Sequence, residues 1–301
     1  MKLTILGCHS ATPRFNAAPT AQVLEVRGHL FLIDCGEGTQ MRLRACKVKF
    51  SRIKHIFISH LHGDHFFGLV GLIATFHLLG REAALNIYGP KGIKDAITLQ
   101  LKLGKSWTNY PLQFHELESN QSVTLFEDEK LSVRTIPLKH RIYTNGFLFA
   151  EKVGLRKLDL EAVKKYRIDT SYFNKIKQGA DLLLEDGSII GNEELSLDPD
   201  PPKRYAYCSD TGYHPDMLPL IAGVDVLYHE STFLEQHLDL AENTGHSTAA
   251  QAAQIAAAAK ADRLILGHYS GRYAELEDFR AEAAVYFPNT ELATDGAIFE
   301  L

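Results

Sequence analysis

The chain has 301 residues, 45% of them hydrophobic and 23% charged, with a formal net charge of −5 at pH 7. That composition suits a globular chain with ample apolar material for a core, as one large domain or two small ones, and no apolar run approaches the ~18 residues of a membrane span. The negative balance argues against a protein that coats nucleic acid nonspecifically. The first residues, MKLTILGC, have too short an apolar stretch for a signal peptide, and Leu3–Leu6 reads better as a strand. Cys8, Cys35, Cys46 and Cys208 are scattered with no close pair. Such spacing suits reduced, mostly buried thiols rather than a disulfide frame or a zinc knuckle, so the cytoplasm is the expected compartment.

In chain order, strands are expected at Lys2–Gly7, Ala21–Val26 and His29–Asp34, the last two a hairpin turned by Arg27-Gly28. The turn-rich Asp34-Cys35-Gly36-Glu37-Gly38-Thr39-Gln40 then leads into a helix over Thr39–Cys46. A buried strand, Ile53–Ile58, is followed by Ser59-His60-Leu61-His62-Gly63-Asp64-His65 and a helix from Asp64 to Leu79. Next come a strand Leu85–Tyr88, a helix Ile93–Leu103, and strands Phe114–Leu117, Ser122–Phe126, Leu131–Leu138 and Phe147–Glu151. The last third predicts strands Tyr205–Cys208 and Val224–His229, an alanine-rich helix Thr248–Lys260, a strand Arg263–Leu266, a helix Glu275–Tyr286 and a closing strand near Ala297–Leu301. Paired strands with helices between them predict two stacked mixed sheets with helices outside.

Glu151–Pro202 breaks this rhythm. It opens basic, through Lys152, Arg156, Lys157, Lys164, Lys165 and Arg167. It then turns acidic from Asp181 through Glu185, Asp186, Glu193, Glu194, Asp198 and Asp200, and ends in Pro199-Asp200-Pro201-Pro202. One short amphipathic helix, Leu158–Tyr166, is expected, with too little else for an independent core. Residues 151–202 therefore read as a projecting insertion within one domain, 1–301, rather than a second domain. Gly38–Lys54 is also basic, holding Arg42, Arg44, Lys47, Lys49, Arg52 and Lys54 without an acid. Either basic stretch fits a solvated helix face as well as a local basic binding surface.

The chemistry concentrates after Ile58. Three histidines and an aspartate fall within the six positions 60–65, in a strand-to-helix loop of the kind that carries function on rigid scaffolds. In an extended segment, positions two apart point the same way, so His60 and His62 can converge on one metal ion. Gly63 permits a tight turn, after which Asp64 and His65 can face a second ion. A lone loop histidine is usually just solvated; four ligand-type residues at one strand end favour a metal centre.

His-x-His-x-Asp-His resembles the signature of the metallo-β-lactamase superfamily. The resemblance implies an α/β architecture, an αββα sandwich of two mixed β-sheets flanked by helices, with a two-metal site at the sheet edges. That motif alone fixes no substrate. Further ligands are expected at later strand ends: His140 after Leu131–Leu138, Asp210 after Tyr205–Cys208, and His268 after Arg263–Leu266.

The stretches FLIDCGEGTQ (31–40), IFISHLHGDHFFGLVGL (56–72), NIYGPKGI (86–93), YCSDT (207–211), HEST (229–232), GHST (245–248) and LGHYSGRY (266–273) are similar to those of the tRNase Z family. Its members are zinc-dependent endoribonucleases that remove the 3′ trailer from precursor tRNA, leaving a tRNA 3′-hydroxyl and a 5′-phosphorylated trailer. The insertion stands where that family has its substrate-gripping arm, implying RNA contacts by Lys152, Arg156, Lys157, Lys164, Lys165 and Arg167. The resemblance implies two zinc ions per chain, one held by His60, His62 and His140, the other by Asp64, His65 and His268, with Asp210 bridging. It also makes Asp64 the general base and His246 the proton donor to the departing 3′ oxygen. His246 and Ser247 can instead belong to the cap of the next helix, since Ser and Thr are normal N-caps, and both can hold at once, with Ser247 or Thr248 as the cap and His246 facing the site. His229, Glu230 and Glu37 are expected to orient ligands from behind. Arg272 is expected either to contact phosphate or to form a structural ion pair.

Relatives of this kind imply a homodimer whose arms serve each other's tRNA, and no membrane partner. Departures from the family pattern are Ser209 for the usual glycine, Ser231 for alanine, Cys8-His9 for a small, glycine-bearing pair, and Arg167–Phe173 where a Gly-Pro arm tip is usual. Two rivals share part of the pattern: a hydrolase of small phosphodiesters, sulfate esters or lactones, and a non-enzymatic RNA-binding protein that kept the fold.

Overall fold

Leu30–Ile33 and Ile56–Ile58 carry apolar side chains at consecutive positions, the pattern of strands covered on both faces. A computed structural model, describing residues 1–12, 14–184 and 187–301, shows what covers them. Glu185 and Asp186 of the acidic run lie outside the described residues. The strands begin with β1 (Lys2–Gly7), β2 (Ala21–Val26), β3 (His29–Ile33), β4 (Ile53–Phe57), β5 (Leu85–Pro90) and β6 (Leu112–Leu117). Next are β7 (Thr124–Glu127), β8 (Leu131–Pro137) and β9 (Asn145–Glu151), then four two-residue strands, β10 (Lys157–Leu158), β11 (Leu182–Leu183), β12 (Ile189–Ile190) and β13 (Ser196–Leu197). The chain closes with β14 (Arg204–Cys208), β15 (Val226–Glu230), β16 (Arg263–Gly267), β17 (Thr290–Leu292) and β18 (Ile298–Glu300).

One seven-stranded sheet has the order β18-β1-β2-β3-β4-β5-β6 and the other β17-β16-β15-β14-β9-β8-β7. Both are mixed. β3 to β6 run parallel beside the antiparallel β1, β2 and β18, and β14 to β17 run parallel beside the antiparallel β9. On β3 and β4, Leu30, Leu32 and Ile56 join Leu69, Leu72, Ile73 and Phe76 of the helix Leu69–Leu78 in one buried cluster. The alternate residues face the second sheet: Phe31 meets Phe149 at 5.5 Å between ring centroids, and Phe57 meets Phe147 at 5.4 Å. Phe57 also touches Phe31, Tyr88 and Phe149 and is fully buried. Phe57→Ala is therefore expected to lower the unfolding free energy by about 3–5 kcal/mol in a urea titration. A loss below about 1 kcal/mol would contradict this packing.

Most predicted elements appear within a residue or two of their expected ends. The helix expected from Asp64 to Leu79 is instead two, Gly63–Phe66 and Leu69–Leu78. The break is at Gly68, whose N–H donates to Cys35 O at 2.9 Å rather than up its own helix. A Cβ there would lie 2.0 Å from Gly36 O, so only glycine admits this backbone approach. The hairpin turn is as expected, with Arg27 (φ 48°) and Gly28 (φ 89°) both left-handed. β17 and the helix Leu238–Thr244 were not anticipated; both are short and carry charged residues that blur any period. No helix among the described residues is long and apolar enough to cross a membrane.

Asp128–Leu131 and Glu151–Pro202 form a second compact unit. It has a small core of its own, Ile168, Ile176, Leu182, Ile190 and Leu195, with Leu158, Val163, Tyr166, Phe173 and Leu184 packed against it. This corrects the expectation that the stretch lacks one. β10 pairs with β13 and β11 with β12, and buried Asn192 donates to Ile176 O and Ala180 O at 2.7 and 2.8 Å. Apart from Leu182–Leu184 and Ile189-Ile190, the apolar residues are isolated and keep no helical or strand period, which is why no pattern revealed the core.

Candidate active site

Strand ends deliver the ligand-type side chains: β4 runs into the His60–His65 loop, β8 into His140, β14 into Asp210 and β16 into His268. The carboxyl ends of parallel strands are where such sheets open crevices. His60, His62, His140 and Asp210 form one group whose donor atoms all lie within 4.8 Å of one another, and Asp64, His65 and His268 form another. Asp210 faces both. Its Oδ2 is 3.4 Å from His60 Nε2 and 3.8 Å from His140 Nε2, and its Oδ1 is 3.2 Å from His65 Nε2 and 3.1 Å from His268 Nε2. Asp64 Oδ2 lies 3.6 Å from His65 Nε2 and 3.4 Å from His268 Nε2. Asp210 (φ 62°) and His268 (φ 61°) are held in the left-handed region, a strained setting for non-glycine residues that concentrates at functional sites.

Most of these rings are tied from behind through their other nitrogen. His65 Nδ1 donates to Asp34 Oδ2 at 2.8 Å, His268 Nδ1 to Thr232 Oγ1 at 2.8 Å and His140 Nδ1 to Gly245 O at 2.7 Å. His60 Nδ1 lies 3.0 Å from Ser59 Oγ. With those protons used outward, the inward nitrogens present bare lone pairs. Yet His60 Nε2 approaches His62 Nδ1 to 2.9 Å, and His65 Nε2 approaches His268 Nε2 to 3.3 Å. Facing lone pairs at such distances repel unless a proton or a metal cation lies between them, and this set of imidazole and carboxylate donors fits divalent metal. Burial lowers the pKa of His60, His62 and His140, keeping them neutral ligands. Burial works the same way on His65, but Asp210, Asp64 and Asp34 outweigh it and hold its pKa well above the usual value. That excess of buried negative charge is what bound cations would neutralise.

The carboxylate behind His65 is Asp34, which the sequence reading did not single out. It is fully buried and also accepts from Ser59 N at 2.7 Å, Ser59 Oγ at 2.9 Å and Tyr207 OH at 2.6 Å. The only hint was its place at the end of an apolar strand. Glu37 is exposed and makes no hydrogen bond to a ligand among the described residues. His229 is buried, but its Nδ1 donates to Glu230 O at 2.7 Å and its Nε2 has no partner among the described residues, so neither nitrogen orients a ligand.

Glu230 does. Its buried carboxylate accepts from Thr211 N, Thr232 N and Ser247 N at 2.8, 3.1 and 3.1 Å, from Thr232 Oγ1 at 2.5 Å and from His246 Nδ1 at 2.7 Å. It thus positions His246 directly and His268 through Thr232. Burial disfavours both charges, but their mutual attraction wins, setting Glu230 at about 2 and His246 at about 9. The helix Ala249–Ala259 is capped by Thr248 in a capping box with Gln251. That leaves His246 free to line a cavity of about 380 Å³ with His62, Asp64, Asp210, His268 and Arg141. Arg141 is a site residue that the sequence reading missed; it directly follows His140.

Arg272 is exposed and forms no ion pair among the described residues. Lys152, Arg156, Lys157, Lys164, Lys165 and Arg167 all belong to the second unit. Arg156 is paired with Asp198 and Lys157 with Asp200, while Lys164 lies 3.6 Å from Glu161 and Lys165 Nζ donates to Tyr166 OH at 2.8 Å. The acidic half of the insertion therefore folds back on part of its basic half. Exposed pairs of this kind contribute only about 0–1 kcal/mol each and exchange readily for phosphate.

Comparison with known proteins supplies the family. The family model "Anti-Pycsar protein Apyc1" matches residues 1–186 and "Beta-lactamase superfamily domain" matches residues 169–269. Ribonuclease Z of Bacteroides fragilis is 47% identical over 300 residues, spanning 100% of this chain and 99% of that protein. Ribonuclease Z of Parabacteroides distasonis is 46% identical over 294 residues, spanning 98% and 97%. The crystal structure of human tRNase Z, short form, superposes with a TM-score of 0.72 at 28% identity, covering 100% of this chain and 99% of that one. YhfI of Bacillus subtilis, at 19% identity and a TM-score of 0.69, shares the metallo-β-lactamase fold. With curated relatives aligned from end to end and the paired ligand cluster in place, the chain belongs to the ribonuclease Z family of the metallo-β-lactamase superfamily.

Proposed function

We propose that the chain is an endoribonuclease that hydrolyses precursor tRNA at its 3′ end, leaving a 3′-hydroxyl on the tRNA and a 5′-phosphate on the trailer. The observation that carries this reading is the doubly facing Asp210 between two ligand groups, in one cavity with His246. Imidazole and carboxylate donors favour zinc, two ions per chain: His60, His62 and His140 would hold one and Asp64, His65 and His268 the other, with Asp210 facing both. Such ions would lower the pKa of water and neutralise phosphoryl charge. Asp64, kept ionised by His65 and His268 against the cost of burial, orients the attacking water and accepts its proton. His246, charged through Glu230, donates to the departing 3′ oxygen, since its Nδ1 is committed and Nε2 remains free.

The second unit, 151–202, acts as the tRNA-binding arm through Lys152, Arg156, Lys157, Lys164, Lys165 and Arg167, with Arg272 contacting phosphate beside the site. A homodimer is supported by exposed Leu78, Leu103 and Trp107, and a cytoplasmic setting by four free cysteines. The deciding experiment incubates the purified protein with a 3′-extended tRNA transcript and maps the product ends. Hydrolysis of bis(p-nitrophenyl) phosphate without any trailer release would favour the small-phosphodiester reading instead. Replacing Lys164, Lys165 and Arg167 with Ala should weaken tRNA binding and reduce its log–log salt slope by roughly 0.7–0.9 for each phosphate no longer neutralised. An unchanged slope would remove the arm from the account.

A further inference from the structure

Lys139-His140-Arg141 turns His140 into the ligand cluster and leaves Arg141 exposed, with no ion pair among the described residues. Arg141 and His246 form a wall shared by two cavities. One is the ligand cavity described above. The other, of about 430 Å³, is also lined by Lys139, Tyr213, Glu242 and Asn243. Its walls are braced: Gly212 N donates to Lys139 O at 2.8 Å, Lys139 N to Thr211 Oγ1 at 3.2 Å, and His140 Nδ1 to Gly245 O at 2.7 Å.

We propose that this second cavity receives the nucleoside whose 3′ oxygen is the leaving group, with Arg141 holding the scissile phosphate at the shared wall. The proposal rests on the endoribonuclease reading. In-line displacement puts the leaving oxygen opposite the attacking one. Attack comes from the side of Asp64 and Asp210, so the leaving oxygen lies toward His246, the residue that must reach it. The ribose carrying that oxygen continues past His246, and what lies there is the second cavity. Its chemistry suits a base rather than another phosphate. The exposed Tyr213 ring offers a stacking face, and the Asn243 amide and Glu242 carboxylate offer hydrogen bonds to a base edge. The Glu242 carboxylate offsets part of the positive charge that Lys139, Arg141 and His246 bring to the same walls.

The test is a double-mutant cycle on a 3′-extended tRNA whose cleavage position has first been mapped. The nucleotide 5′ to the scissile bond is made abasic, and the enzyme is changed to Tyr213→Ala or Tyr213→Phe. Removing the base should lower kcat/KM of the wild type by about tenfold, and Tyr213→Ala should lower it by about tenfold on the intact substrate. Combined, the two losses should not multiply, and Tyr213→Phe should restore near wild-type cleavage. Multiplying penalties, or coupling seen only with an abasic nucleotide on the trailer side, would overturn the proposal. Tyr213 is exposed, so the variant should keep a thermal midpoint within about 2 °C of the wild type, which separates lost stacking from lost folding. A wild-type protein that leaves the intact tRNA uncut would sink the functional reading itself, whereas an active one with multiplying penalties sinks only this cavity's role.

Discussion

Asp64→Ala should reduce trailer release by on the order of 10⁴-fold or more in kcat, the scale on which loss of a central catalytic group is felt. Affinity for 3′-extended tRNA should stay within about threefold, because most RNA–protein contacts are to phosphates away from the reacting centre. Two losses combine. The carboxylate 3.4 Å from His268 Nε2 and 3.6 Å from His65 Nε2 is removed from its ligand group, and the cavity loses its proton acceptor. Elemental analysis should accordingly show less than two metal ions per chain. The variant has a clear failing outcome: near-normal turnover with full metal content would mean that this cluster is not where the phosphodiester is cut.

The next largest effect is expected from His246. His246→Ala should lower kcat by about 10²–10⁴-fold, the usual contribution of general acid catalysis, with metal content unchanged because the seven side chains proposed to hold metal remain. Glu230→Gln gives a finer readout. The Glu230 carboxylate raises His246 toward 9, so the charged acid persists up to that pH and is lost above it. Without the carboxylate the imidazole loses its proton earlier, and the alkaline limb of kcat should move to lower pH. Bound divalent cations would oppose Glu230 and lower both limits, but the direction of the shift would be the same. An alkaline limb that does not move in Glu230→Gln would return His246 to a purely structural place beside the cap formed by Thr248 and Gln251.

The fold was legible in the sequence where burial is two-sided. Continuous apolar runs such as Leu30–Ile33 and Ile56–Ile58 point to interior strands, and ligand-type side chains such as His60 fall directly after them because strands end where their apolar residues end. Local rules also wrote the Arg27-Gly28 turn and the Thr248 cap, since both depend on neighbours in the chain. Broken periods hid the rest. Gly68 splits a helix only because Gly36, far away in sequence, must come close. The second unit's core is built from apolar residues too sparse to signal a face.

The sequence by itself determined which ligand-type side chains are present and the strand ends that carry them, because those follow from residue type and short-range spacing. Only the tertiary structure decided what stands behind the ligands. Asp34 rather than Glu37 supports His65, Glu230 reaches His246 and, through Thr232, His268, and His229 supports none of them. The pairs Asp34–His65, Glu230–His246 and Thr232–His268 lie 31, 16 and 36 positions apart along the chain, and hydrogen bonds are chosen by proximity in space. The same holds for Arg141, which becomes a wall between two cavities only when the His140 loop meets the His246 loop.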